Sequence, residues 1–146
     1  MSLSSRFVGR SAHSLDEKGR LVVPSRYRER LGKSFMMTIG TPDRCLALYP
    51  LDAWEAFAKR LEEAPVKNER YRRNLRYIMQ HTEEVTPDGQ GRFLIPPVLR
   101  SYAGITRDVV SVGANTRVEI WAKDLLTADG PSSEDAEAFV TELGLY

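Results

Sequence analysis

The sequence predicts an α+β fold in which one small unit is written twice, and three observations carry that reading. A D-x-x-G-R turn signal occurs at 16–20 and again at 88–92. An apolar triplet and a proline follow each signal, as Leu21-Val22-Val23-Pro24 and Phe93-Leu94-Ile95-Pro96. Further landmarks recur at the same shift of 72 residues, with Gly32 answering Gly104 and Leu48-Tyr49 answering Ile120-Trp121. So many coincidences in one order mark an internal duplication, each copy about 50 residues long. Thr38-Ile39-Gly40 and Ser111-Val112-Gly113 also answer each other, with a slip of one residue.

Each copy reads as strand, turn, strand, short helix, hairpin. In the turn the Asp side chain accepts backbone N–H bonds and the Gly takes a positive φ. Asp16, Gly19, Asp88 and Gly91 are therefore turn-bracing residues. The apolar triplet is a buried strand. Pro24, and Pro96-Pro97, suit the first turn of a helix, where a missing N–H costs nothing. Gly32 and Gly104 stand where a C-terminal cap is expected. The helices between them should turn Tyr27 and Leu31, or Val98, Leu99 and Tyr102, inward. Hairpins then pair 35–40 with 46–49 and 109–113 with 118–121.

A helical insert joins the copies. Asp52 is placed to cap its first helix, with Glu55 at the capping-box position. Trp54, Phe57, Ala58 and Leu61 recur at helical spacing, and Pro65 ends the run. Residues 67–80 read as a second helix, with Tyr71, Leu75, Ile78 and Met79 on one face and four arginines on the rest. Residues 127–133 read as a linker. Ser132 and Asp135 then start a short acidic amphipathic helix through Leu143. The division expected is a first half at 6–54, a connector at 55–80, a second half at 81–126 and a tail at 127–146.

Composition narrows the function. The chain has 146 residues, 42% of them hydrophobic and 28% charged, as in a globular domain rather than a fibrous or disordered chain. No apolar run reaches the roughly 18 residues of a membrane helix, and none suggests a signal peptide. The lone Cys45 makes no internal disulfide and is compatible with a reducing cytoplasm. The net charge of +1 hides a strong segregation. Residues 1–31 and 59–77 each carry seven basic and three acidic side chains, whereas 119–146 carries one and seven. Sixteen of the 21 basic residues are Arg, the better fork for phosphate and guanine.

The stretch D-E-K-G-R-L-V-V-P-S-R-Y-R-E-R-L resembles the first repeat of the MraZ family. The second D-G-Q-G-R-F-L-I-P-P, the C-L-A-L-Y-P-L-D-A-W segment and V-E-I-W resemble it too, over about residues 6–126. The resemblance implies two AbrB-like swapped-hairpin halves that form a pseudo-symmetric β-barrel in one chain. It implies a cytoplasmic, nucleoid-associated transcriptional regulator of the division and cell wall gene cluster, its own promoter included. Such a protein binds repeated boxes in double-stranded DNA as a ring-like homo-oligomer, an octamer among the ring sizes. Arg20 and Arg92 are then the DNA-contacting arginines, with Lys18 beside the first. Gln90 takes the lysine's place in the second motif, and Gly89 should loosen that turn. The N-terminal turn, with Arg26, Arg28 and Arg30 on the helix after it, is expected to carry most of the DNA affinity.

Competing readings are weaker. Arg20 could simply pair with Asp16 and brace its turn. The alternative function is an AbrB/MazE-type antitoxin-like interaction module, its acidic tail gripping a protein partner. His13, Ser14 and Asp16 are too close in sequence for a catalytic triad, and no G-x-S-x-G elbow, P-loop or dinucleotide fingerprint is present. No catalytic residue, metal ligand or cofactor is assigned. His13 and His81 read as surface or packing residues, and Tyr49, Trp54, Phe57 and Trp121 as core. Strand edges and the Trp54–Phe57–Leu61 face, if left open, would drive self-association.

Overall fold

The duplication is visible strand by strand in the computed structural model, which describes residues 6–145. The first copy contains β1 (Arg10–Ser14), β2 (Arg20–Val22), α1 (Ser25–Leu31), β3 (Phe35–Gly40) and β4 (Cys45–Pro50). Helices α2 (Leu51–Glu62) and α3 (Glu69–Gln80) follow. The second copy contains β5 (Glu83–Val85), β6 (Arg92–Leu94), α4 (Pro97–Ala103), β7 (Asp108–Ala114) and β8 (Arg117–Ala122). Helices α5 (Lys123–Asp129) and α6 (Ser133–Glu142) end the chain.

The first strand of each copy has left its own hairpin. β1 pairs with β7 of the second copy, and β5 pairs with β3 of the first. The six-stranded antiparallel sheet runs β1-β7-β8-β4-β3-β5, while β2 and β6 pair only with each other. Two pairs map onto themselves under the 72-residue shift: Leu21 opposite Phe93 and Ala47 opposite Glu119. A pseudo-twofold axis therefore passes through the centre of the β2–β6 ribbon and the centre of the sheet. Leu21, Val23, Phe93 and Ile95 close the ribbon's inner face on Met37, Leu46, Leu48, Val109, Val118 and Ile120 in one core. The ladders leave β1 and β5 as edges among the described residues, so the hydrogen bonding is that of a sheet covered by a ribbon. It does not draw the closed barrel that the resemblance implies.

The one-residue slip is really two. Gly40 faces Cys45 in the first hairpin and Ala114 faces Arg117 in the second. Cys45 and Arg117 keep the 72-residue shift, but Gly40 and Ala114 lie 74 apart. The first hairpin loop is two residues longer, and the link after α4 is correspondingly longer than the link after α1. Other expectations also change. The N-cap of α2 is Pro50, and Asp52 Oδ1 accepts from Ala53 N and Arg30 Nη1, so the Asp52–Glu55 capping box does not form. The Ser132–Asp135 box does form, with both reciprocal bonds. Val98 faces solvent, Met79 is exposed, and the stretch read as a linker from 127 is still helical through Asp129. Trp54 packs on Ala47 and Tyr49, with Phe57 stacked on Tyr49, so that face of α2 is spent on its own sheet.

Symmetry breaks at the sheet centre, where the small Ala47 faces a carboxylate. Glu119 Oε2 takes bonds from Arg117 Nε and Nη2, at 3.0 and 2.6 Å, and Oε1 takes Trp121 Nε1 at 3.0 Å. Burial works against the Arg117 charge. The Tyr49 hydroxyl and the Glu119 carboxylate outweigh it and keep the guanidinium charged. Removing one partner strands the other in a largely dry site. Glu119→Ala should cost about 3 kcal/mol in urea denaturation. Glu119→Gln should cost less, because it still accepts from Trp121.

His13 yields a pH prediction. Its Nε2 lies 2.6 Å from Oγ of buried Ser111 across the β1–β7 edge, and burial lowers its pKa from the ordinary 6.5. Below pH 6.5 the unfolded chain takes up a proton that the folded imidazole resists. Stability is therefore lost as pH falls from 6.5 toward the folded value. Melting temperatures between pH 7.5 and 5 should drop for the wild type and drop less for His13→Gln.

Candidate nucleic-acid interface

The two D-x-x-G-R turns have one geometry. Asp16 Oδ1 accepts from the backbone N–H groups of Lys18 and Arg20, and Oδ2 accepts from Arg20 Nε at 2.7 Å. Asp88 accepts in the same way from Gln90, Arg92 and Arg92 Nε, the last at 2.8 Å. Gly19 N and Gly91 N donate to the Asp16 and Asp88 carbonyls. Gly89 therefore does not loosen the second turn. Gly19 and Gly91 have φ of +79° and +78°, and that left-handed backbone is why each position is glycine.

Both braces hold the carboxylate in its charged form. The backbone N–H of Arg20, then its side chain and the N–H of Lys18, lower the Asp16 pKa; Arg92 and Gln90 do the same for Asp88. The bracing contribution is present above the ordinary carboxylate range and is lost only as pH falls through the still lower folded values.

The bracing reading of Arg20 and the contact reading are compatible. The carboxylate takes Nε, which fixes the plane of the guanidinium. The terminal nitrogens make no other hydrogen bond among the described residues. About a third of each side chain stays accessible, 29% for Arg20 and 33% for Arg92. Each is a pre-oriented fork at an end of the ribbon. Between them the outer face carries Val22 and Leu94, both exposed.

The arginines of the short helices cross over. A Cβ on Gly91 would lie 2.9 Å from the Arg28 guanidinium, and one on Gly19 would lie 3.0 Å from that of Arg100. Arg28, on α1 of the first copy, thus covers the second turn, and Arg100 covers the first. Of the other α1 arginines, Arg26 lies against Gly9 and Arg30 reaches Asp52. The expected crowding of all three around the first turn is not found. The swap that moves β1 and β5 also moves this charge, so spacing along the chain could not reveal it. The first turn gathers Lys18, Arg20 and Arg100; the second gathers Arg92 and Arg28, with Lys33 on its flank.

The flanks of the turns differ. A cavity of about 220 Å³ lies beside the second turn, lined by Arg28, Lys33, Pro87 and Gly91 among others. At the matching positions of the other half stand Leu15 and Ile105, both buried. Arg28 Nε donates to the Val23 carbonyl, whereas Arg100 Nε is buried without a hydrogen-bond partner.

No other chemistry assembles from the candidate residues. His13 bonds Ser111, Ser14 Oγ donates to Asp108, and Asp16 is taken up by its own turn, so the three do not converge. No cluster of three or more His, Cys, Asp or Glu fit for a metal occurs among the described residues, and no helix among them is long and apolar enough to cross a membrane. The turn geometry gives a direct test. Gly19→Ala and Gly91→Ala should each lose about 1–2 kcal/mol in urea denaturation, the cost of a left-handed L-residue. Gly89→Ala should lose far less, since a Cβ there meets nothing within 4 Å.

Comparison with known proteins agrees with the duplication. The family described as "MraZ protein, putative antitoxin-like" matches twice, over residues 7–77 and 78–126. A protein of Clostridium acetobutylicum, named transcriptional regulator MraZ, is 39% identical over 95% of this chain and 99% of its own length. Proteins of the same name from Desulfitobacterium hafniense and Pelotomaculum thermopropionicum are 41% and 45% identical. These cover 93% and 81% of this chain, and 94% and 81% of the relatives. With both turns, both hairpins and the ribbon inside the matched residues, the chain belongs to the MraZ family.

Proposed function

We propose that the protein is a transcriptional regulator that binds double-stranded DNA in a sequence-specific way and carries out no catalysis. The observation that carries this reading is the pair of identically braced turns at the two ends of one exposed ribbon. A two-stranded β-ribbon fits the major groove. Arg20 and Arg92 are aimed by their aspartates before DNA arrives, so little side-chain freedom is lost on binding. Each fork suits guanine O6/N7 or a phosphate, and Val22 and Leu94 suit thymine methyls. Lys18, Arg28 and Arg100 supply backbone contacts around them.

The names of the relatives support a role in transcription, and family membership points to the division and cell wall gene cluster, the protein's own promoter included. The protein acts in the cytoplasm at the nucleoid. One chain with a net charge of +1 neutralises few phosphates. A ring-like homo-oligomer that engages repeated boxes together would multiply weak single-site contacts.

The test is binding to the DNA upstream of the protein's own gene against a scrambled duplex, across a salt titration. Arg20→Ala should cost about 1–3 kcal/mol per lost base contact and leave the fold intact. Arg92→Ala should also weaken binding, but less. Lys18→Ala should reduce the salt slope by about 0.9, the share of one phosphate contact, whereas Gln90→Ala should leave it unchanged. Equal affinity for promoter and scrambled duplex would overturn sequence-specific binding. Equal losses from Arg20→Ala and Arg92→Ala would overturn the asymmetry alone.

A further inference from the structure

Helix α6 buries no face against the described residues. All ten residues of α6 are exposed, including Phe139 at 60% and Val140 at 40%, and Leu143 just beyond it is exposed at 52%. Isolated helices shorter than about 12–15 residues are marginal in water. The capping box at Ser132–Asp135 offsets only part of that deficit. Ala136, Phe139, Val140 and Leu143 form one stripe at helical spacing, so α6 is shaped for a surface that it does not meet among the described residues.

Charge identifies that surface. Residues 124–146 contain no Lys or Arg, and α6 carries Glu134, Asp135, Glu137 and Glu142. The complementary element is α3, where Arg70, Arg72, Arg73 and Arg76 are exposed. Two of these have weak partners: Arg73 lies 4.0 Å from Glu69, and Arg72 reaches the Lys67 carbonyl at 3.4 Å. Arg70 and Arg76 make no ion pair among the described residues. Exposed Tyr77 shares one face of α3 with Arg70 and Arg73, which precede it by seven and four residues.

The order of features matches as well. On α6 Asp135, Phe139 and Leu143 share one row, spaced by four; on α3 Arg70, Arg73 and Tyr77 share another. A parallel alignment sets Asp135 on Arg73 and Phe139 on Tyr77. A phosphate backbone would use the arginines but not Tyr77, so DNA fits this surface less well than a helix does.

We propose that α6 docks on α3 of a second copy of this chain, placing Phe139 on Tyr77 and its carboxylates along Arg70 and Arg73. The proposal rests on the homo-oligomer in the proposed function and names one contact that would build it.

Two measurements on the full-length protein test it. Phe139→Cys and Tyr77→Cys are introduced into separate copies with different affinity tags, and the copies are mixed and oxidised. The native Cys45 is buried and stays out of the reaction. A disulfide joining the two tags is expected. When both substitutions are placed in one copy and mixed with an excess of copies that carry neither, the disulfide should be lost. An intramolecular bond that survives dilution would mean α6 folds back on its own α3, and absence of any bond would mean α3 is not its seat; either result overturns the proposal.

The second measurement is sedimentation velocity. Glu134→Lys with Glu137→Lys should reduce the assembled mass, and adding Arg70→Glu with Arg73→Glu in the same chain should restore it. All four positions are exposed, so misfolding does not explain a loss that reverses. Promoter binding by the same variants separates the two readings. Lost cross-linking with intact oligomer and intact promoter binding sinks only the α6–α3 contact. A wild-type monomer would sink the oligomer in the proposed function as well.

Discussion

The structure depends on a reciprocal lock at the ribbon. Val23 N donates to the Gly91 carbonyl, and Ile95 N donates to the Gly19 carbonyl. Each turn is thereby fastened by the strand of the other copy, just past the point where its own aspartate has bent it. Neither copy can complete its turn, its ribbon or its sheet edge alone. Fusing two such copies in one chain makes their association intramolecular, which lowers its entropic cost. The result is long-range pairing outside the two hairpins, with β1 and β7 separated by about a hundred residues.

The lock explains what the sequence discloses and what it withholds. The repeat, the turn residues and the hairpins are local and could be placed from the residues. So could the α6 capping box, whose Ser132 and Asp135 stand three apart. Of each apolar triplet only the outer two are buried, and Val22 and Leu94 face solvent because a strand alternates its sides. The exchange of β1 and β5 between copies is not local, and no residue type along either strand reports its partner. The family resemblance, not the spacing, supplied the swap. The crossing of Arg28 and Arg100 follows from the same exchange and stayed hidden for the same reason.

Other misreadings have small, identifiable causes. Asp52 lies beyond a proline that already starts α2, so its carboxylate is drawn to Ala53 and Arg30 instead of a capping box. The two-residue slip is invisible because the lost residues of one loop reappear in another, and the register recovers by Arg117. Val98 is apolar but shares α4 with Leu99, and only one of these neighbours can face the core. Such choices are settled by packing, and both residues look alike in a hydropathy pattern.

Duplication preserves geometry more strictly than chemistry. The braced turns repeat the same hydrogen bonds, because the Asp and Gly geometry they share also presents the glycine carbonyl that the other copy's strand binds. The surrounding positions carry no such obligation. Lys18 becomes Gln90, and Pro87 and Lys33, which line a cavity beside the second turn, have the buried Leu15 and Ile105 as their counterparts beside the first. The symmetric part can aim two forks from one ribbon, while the divergent part can weight them differently. Because Arg28 and Arg100 cross, a change in either short helix acts on the turn of the opposite copy. The two halves are therefore one interface, and its asymmetry has to be read from the charges gathered around each turn rather than from the repeat to which each residue belongs.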